Sequence, residues 1–146
     1  MDAFQKIEIR SFEMSDYQHA VDLWSSIDGL TLNESDGPGA ISVFLKRNPK
    51  LSFVAKSKAG ELIGTVLCGH NGRAGHIYHL AVAKSYRGQG LGRHLVGLCF
   101  DALAKENIPR CNIFVYSNND LGNSFWLASG WNDPKTWKVL QKYVQA

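Results

Sequence analysis

Polar and apolar residues alternate from Gln5 to Phe12, with Ile7, Ile9 and Ser11 on one face, which predicts a first β-strand. Tyr17, Ala20, Val21, Trp24 and Ile27 then recur at helical spacing. Ser15 and Gln18 form a capping box that opens this helix, and Asp28-Gly29 closes it. A second helix starts at Asp36-Gly37-Pro38, turns Ile41, Phe44 and Leu45 inward, and stops before Asn48-Pro49. Leu51–Lys56 and Leu62–Cys68 read as two strands of a hairpin, joined around Lys58-Ala59-Gly60-Glu61. A glycine-rich connection, Gly69 to Gly75, leads into a buried strand, His76 to Val82.

That strand runs through Arg87-Gly88-Gln89-Gly90-Leu91-Gly92-Arg93 into a helix, Leu91 to Lys105, which carries Leu91, Leu95, Leu98, Cys99 and Ala102 on one stripe. Asn107 and Pro109 stop it. Arg110 to Tyr116 predicts a further strand, a short helix follows through Phe125, Trp126 and Ala128 to Gly130, and Trp137 to Val144 reads as a last strand. The resulting order, β-α-α-β-β-β-α-β-α-β, predicts an α/β (mixed α+β) domain with helices on both faces of a mixed sheet.

A strand, a glycine loop and a helix in succession suit an anion. Glycines let the main chain approach closely, the helix N-terminus contributes about half a positive charge, and Arg87 and Arg93 flank the loop. A Walker loop needs Gly-Lys-Ser/Thr, which is missing, and the spacing Gly88, Gly90, Gly92 is not the dinucleotide fingerprint. A glycine-rich turn of an ordinary α/β domain and a nucleotide-phosphate binder are the alternatives at this point.

The run Arg87-Gly88-Gln89-Gly90-Leu91-Gly92 matches Arg/Gln-x-x-Gly-x-Gly/Ala and resembles the acetyl-coenzyme A pyrophosphate loop of the GNAT superfamily of N-acetyltransferases. Leu80-Ala81-Val82 resembles that family's splayed strand, and Asn119-x-x-Gly122-x-x-Phe125-Trp126-x-x-x-Gly130-Trp131 resembles its second motif. The resemblance spans essentially the whole chain. It implies one GNAT-like domain over residues 1–146, with a mostly antiparallel sheet of six to seven strands splayed at the central strand. It also implies transfer of an acetyl group from acetyl-CoA, as donor and without a metal, directly to a primary amine.

The resemblance places the cofactor on Leu80, Ala81, Val82, the loop from Arg87 to Arg93 (Arg87, Gly88, Gln89, Gly90, Leu91, Gly92, Arg93), Asn119 and Trp126. Asn119 would bond the pantetheine arm, since an Asn both donates and accepts. Many members have Tyr where Trp126 stands, to protonate the departing thiolate. Tyr116 or Tyr78 takes that place here, or the thiolate leaves unaided, which a pKa of about 8–9 permits. A non-catalytic acyl-CoA-binding sensor or partner module is the second reading. Main-chain N–H near Leu80 or Ala81 would polarise the thioester carbonyl.

The resemblance puts the base for the acceptor amine at His76, and histidine's ordinary pKa of about 6.5 suits that task. A strand-start histidine without a role fits His76 equally. Period-two geometry places Tyr78 on the face of His76 and His79 on the opposite face, as a packing residue. The early helices and their loop would shape the acceptor site, making Trp24, Asn33 and Glu34 candidate contacts. From the residues alone, Trp24 reads as core and the other two as solvated.

The composition narrows the setting. In 146 residues, 45% are hydrophobic and 20% charged, which is ordinary for one globular domain. A net charge of +3 without a Lys/Arg cluster suits an anionic ligand but not a nucleic acid. No apolar run reaches the about 20 residues of a membrane span, and the stretch Met1–Arg10 does not read as a secretory signal. Cys68, Cys99 and Cys111 are widely spaced, so reduced thiols in a cytoplasmic setting are expected, with no covalent intermediate. A homodimer, common among members of the family, and the identity of the acceptor stay open.

Overall fold

The computed structural model describes residues 6–145. Met1–Gln5 and Ala146, and with them the start of the expected first strand and half of the stretch read for a signal, lie outside the described residues. The chain divides into two units after Phe114.

The first unit holds one sheet of five strands: β1 (Glu8–Ser11), β2 (Phe53–Lys56), β3 (Leu62–His70), β4 (Gly75–Val82) and β5 (Cys111–Ile113), in that spatial order. β1 to β4 are antiparallel neighbours, and β5 joins β4 in parallel. β3 is buried along almost its whole length, which its near-continuous apolar sequence requires of a strand covered on both faces. One face carries α1 (Tyr17–Ser25) and α2 (Pro38–Arg47), whose Trp24 and Ile41 share a core with Phe12, Val54, Leu67 and Ala81. The other face carries α3 (Leu91–Lys105). Gly75 lets it dock closely, since a Cβ there would stand 2.7 Å from Leu103 Cδ1. The second unit contains α4 (Asp120–Ala128).

Three expectations change. The sheet has five strands among the described residues, not six to seven. Trp137–Val144 forms no strand; Val139 and Leu140 are adjacent, so neither face of the segment is uniformly apolar, and both side chains are exposed. The expected strand from Arg110 to Tyr116 shortens to Cys111–Ile113, because its pairing with β4 ends at Ile77 opposite Ile113.

The capping box also moves. It lies on the short 3-10 turn Met14–Asp16, with Glu13 as N-cap, and α1 begins only at Tyr17. Asp16 pulls the turn forward, since its buried carboxylate accepts the Glu13 N–H at 2.9 Å and two Arg10 bonds at 2.8 Å, with Lys56 Nζ 3.5 Å away. Burial pushes this carboxyl up, but the Arg10 hydrogen bonds, the Glu13 N–H and the charges of Arg10 and Lys56 together hold it below its ordinary 3.8. The stabilisation is therefore complete above that value and is lost as pH falls through the depressed folded value. Asp16→Asn should cost about 2 kcal/mol at pH 7 in urea unfolding, with the gap to wild type closing as pH falls below 3.8. An unchanged gap at acidic pH would refute this account.

Candidate active site

The site is built at the C-terminal half of β4. Along β3 and β4, Leu67 stands opposite Tyr78 and Thr65 opposite Ala81, so Val66 faces two residues, His79 and Leu80. This is a β-bulge, and His79 takes a left-handed φ of 49°. An imidazole at such a φ costs about 1–2 kcal/mol, so the surroundings must hold it there.

They do so through a chain of hydrogen bonds. The Thr65 hydroxyl donates to the His79 carbonyl at 2.9 Å and accepts the Trp24 Nε1–H at 2.8 Å. The Trp24 ring lies 4.7 Å from the His79 ring. His79 Nε2 is 2.6 Å from Asp36 Oδ1. Asp36 Oδ2 in turn accepts the Asn33 N–H at 3.0 Å, and the Asp36 carbonyl accepts the Tyr17 hydroxyl at 2.7 Å. A bulge on the sheet is thereby tied to the turn that precedes α2.

This reverses the expected side of His79. The bulge shifts the alternation by one residue, so Tyr78 and Ala81 share a face, and the His79 ring lies on that same side, against α1 and Asp36. Beyond Ile77, β4 continues to Val82 with no ladder partner on its β5 side among the described residues. Leu80, Ala81 and Val82 thus lie on an open stretch of strand.

The loop after β4 bends as a phosphate cradle must. Gly88 and Gly90 have φ of 75° and 84°, and a Cβ on Gly88 would meet nothing within 4 Å. Gly90 is the N-cap of α3, so the first-turn amides of Leu91 and Gly92 point out of the helix. Arg87 Nε donates to the Val82 carbonyl at 2.9 Å, and the terminal NH2 groups of that guanidinium have no partner among the described residues. The segment therefore combines main-chain amides, a helix N-terminus and a charged fork within seven residues.

The remaining candidates lie as follows. His76 stacks between Tyr78 and Phe114 at centroid distances of 6.1 and 5.8 Å, and its Nδ1 is fully buried without a partner. That nitrogen is closed to an incoming proton donor. Tyr78 is 36% exposed and sits edge-on to Phe44. Desolvation of its phenol, then the Cys111 and Cys68 thiols, raise its pKa, so it stays protonated and can donate.

Trp24 is 0% exposed and bonded to Thr65, so it is a core residue, as the residues alone implied. Asn33 turns its side-chain oxygen to the Ser35 N–H and hydroxyl, at 2.8 and 2.6 Å, which holds the turn carrying Asp36; Glu34 is exposed on the same turn. In the second unit Asn119 caps α4, accepting the Gly122 N–H at 3.0 Å. Trp126 is buried against Phe125 and Trp131, and Tyr116 is exposed.

The surroundings of Cys68 and Cys111 disfavour the thiolate. At Cys68 a hydrogen bond with Cys111 lowers the pKa, but Cys99 and burial raise it by more. At Cys111 the bond with Cys68 and burial raise it.

Two functional candidates were invisible in the pattern: the position of the His79 ring, and Asp36 as its partner. Asp36 signalled only a helix start. His79 is a polar residue in a largely apolar stretch, but Asp36 lies in the polar run Asn33-Glu34-Ser35-Asp36, where nothing singles it out.

The model of the acetyltransferase (GNAT) family matches residues 2–131. An acetyltransferase of Sodalis glossinidius is 32% identical over 114 residues, covering 78% of this chain and 79% of its own. Among solved structures, the PaiA N-acetyltransferase of Thermoplasma acidophilum superimposes with a TM-score of 0.76 at 18% identity, over 89% of this chain and 92% of that one. The ribosomal-protein-S18-alanine N-acetyltransferase of Escherichia coli gives 0.70 at 19%, over 88% and 79%.

Proposed function

Because the chain belongs to the GNAT family of acetyltransferases, we propose that it moves an acetyl group from acetyl-CoA directly onto a primary amine. The observation that carries this reading is the open bend of Gly88 and Gly90 at the N-terminus of α3, beside the unpaired stretch of β4. The bend suits a diphosphate, with the amides of Leu91 and Gly92 and the fork of Arg87 turned to it. Gln89 and Arg93, on the same loop, are assigned to the same anion. The Leu80–Val82 edge supplies main-chain groups for an extended pantetheine arm, and its N–H groups would polarise the thioester carbonyl. The PaiA structure, which shares this fold, was solved with coenzyme A.

Direct transfer is supported by the surroundings of Cys68 and Cys111, whose raised pKa disfavours a thiolate that could carry the acetyl group. Tyr78, held protonated, is the candidate proton donor to the leaving sulfur. The experiment is release of free coenzyme A from acetyl-CoA on addition of alkylamines, amino acids and peptides with free N-termini. Turnover above the amine-free rate with at least one class is the expected result, and background rates with all three would count against the reading. Buried Trp126, at the place where the family resemblance implies a Tyr acid, favours a non-catalytic acyl-CoA-binding module as the second reading. That module would give heat of binding with acetyl-CoA and no release.

A further inference from the structure

We propose that His79 and Asp36 are the proton-accepting pair for the acceptor amine, His79 receiving the proton at Nδ1 and Asp36 holding the ring. The proposal rests on the acetyltransferase reading above. Its first ground is tautomeric. A carboxylate only accepts, so the 2.6 Å contact between Asp36 Oδ1 and His79 Nε2 places the ring proton on Nε2 and leaves a lone pair on Nδ1. The arrangement is that of a histidine base oriented by an acid, with the two nitrogens exchanged.

The second ground is access. His79 Nδ1 has no hydrogen-bond partner among the described residues, yet it is not among the fully buried unpartnered atoms, so it reaches solvent. The His79 side chain is 15% exposed. His76 is half-buried like His79, but its Nδ1 is sealed and no hydrogen bond among the described residues orients its ring.

The third ground is place. His79 forms the bulge itself, at the start of the stretch where β4 lacks a partner, and so next to the main-chain groups assigned to the thioester. Holding a non-glycine residue at φ 49° is costly, and here the ring is fixed from two sides, by Trp24 and by Asp36. Among the described residues the groups that face the ring are few. Asp36 is the titratable one in contact, Trp24 and Thr65 are neutral, the Tyr17 hydroxyl bonds the Asp36 carbonyl, and the Tyr78 phenol lies on the same sheet face.

In the step itself, the amine lone pair forms the C–N bond to the thioester carbon. The C–S bond then breaks with its electron pair passing to sulfur. The proton shed by nitrogen passes to His79 Nδ1, directly or through one water, and the imidazolium is neutralised by Asp36 until it returns the proton to solvent.

His79→Gly is the informative variant, because glycine relieves the φ of 49° and keeps the bulge while removing the ring. His79→Asn, which also tolerates a left-handed φ, is the second variant should the glycine protein not fold. Each is measured with acetyl-CoA and the most active amine of the panel, together with acetyl-CoA affinity by calorimetry. Expected is a loss of about 100-fold or more in kcat/KM with the acetyl-CoA Kd within about twofold. The acidic limb of the pH profile disappears, and added imidazole restores part of the rate in His79→Gly. Asp36→Asn should lose rate and keep acetyl-CoA affinity. Wild-type turnover with a variant that stays within a few-fold, or keeps the acidic limb, overturns the pair and leaves the acetyltransferase reading standing. Loss of the limb in His76→Gln in place of the His79 variants overturns it equally. No turnover by the wild-type protein overturns both.

Discussion

Gly88→Glu should weaken acetyl-CoA binding by more than about 100-fold, about 2.7 kcal/mol, while the protein still folds. A Cβ on Gly88 meets nothing within 4 Å, so the substitution creates no clash inside the protein. Its cost to the fold is the left-handed φ of 75°, about 1–2 kcal/mol, or roughly 3–6 °C in Tm for a chain of this size. The new carboxylate, in contrast, enters the volume offered to the diphosphate and sets like charges against each other at close range. Gly88→Ala separates the two effects, since it carries the same backbone cost without charge and should lose far less affinity. Calorimetric titration on both proteins, with melting curves alongside, is the measurement. Equal affinity in Gly88→Glu and wild type would show that the ligand does not use this bend.

Trp24→Ala should destabilise the protein by about 3–5 kcal/mol in urea unfolding, the largest effect expected of any single truncation here. The ring is 0% exposed, stacks on Phe12 with centroids 6.2 Å apart, and packs on His79. Its Nε1–H is the donor that the Thr65 hydroxyl accepts. Trp24→Phe keeps most of the packing and deletes the donor, so it should cost only about 1–2 kcal/mol, and the difference between the two variants separates cavity from hydrogen bond. Because the same ring seats His79, both variants should also lower turnover in protein that remains folded. A loss of about 1 kcal/mol or less for Trp24→Ala would mean that the core of this face is packed otherwise.

Much of this molecule was readable along the chain, for reasons specific to each part. α2 begins at Pro38 and stops before Pro49 because proline fixes its own φ and restrains the residue before it. α3 spans Leu91 to Lys105 as its apolar stripe requires, and β2 and β3 pair around Lys58–Glu61 because alternating strands joined by a short turn have one economical arrangement. The glycine loop was legible because left-handed bends favour glycine, and Gly88 and Gly90 both take one. The last strand was misread because Trp137 to Val144 carries strand-forming residues without a face to bury, and propensity without a ladder makes no strand.

What the sequence by itself determined is most of the helices and strands and the glycine bend before α3, because these depend on contacts within a few residues. Only the tertiary structure decided which histidine of β4 is held by an acid. Alternation assigns side chains to faces only while the register with the neighbouring strand is unbroken. The extra residue opposite Val66 breaks it, and carries His79 across to Asp36, 43 positions earlier in the chain. A register shift is a property of two strands together, so no pattern within β4 alone could announce it.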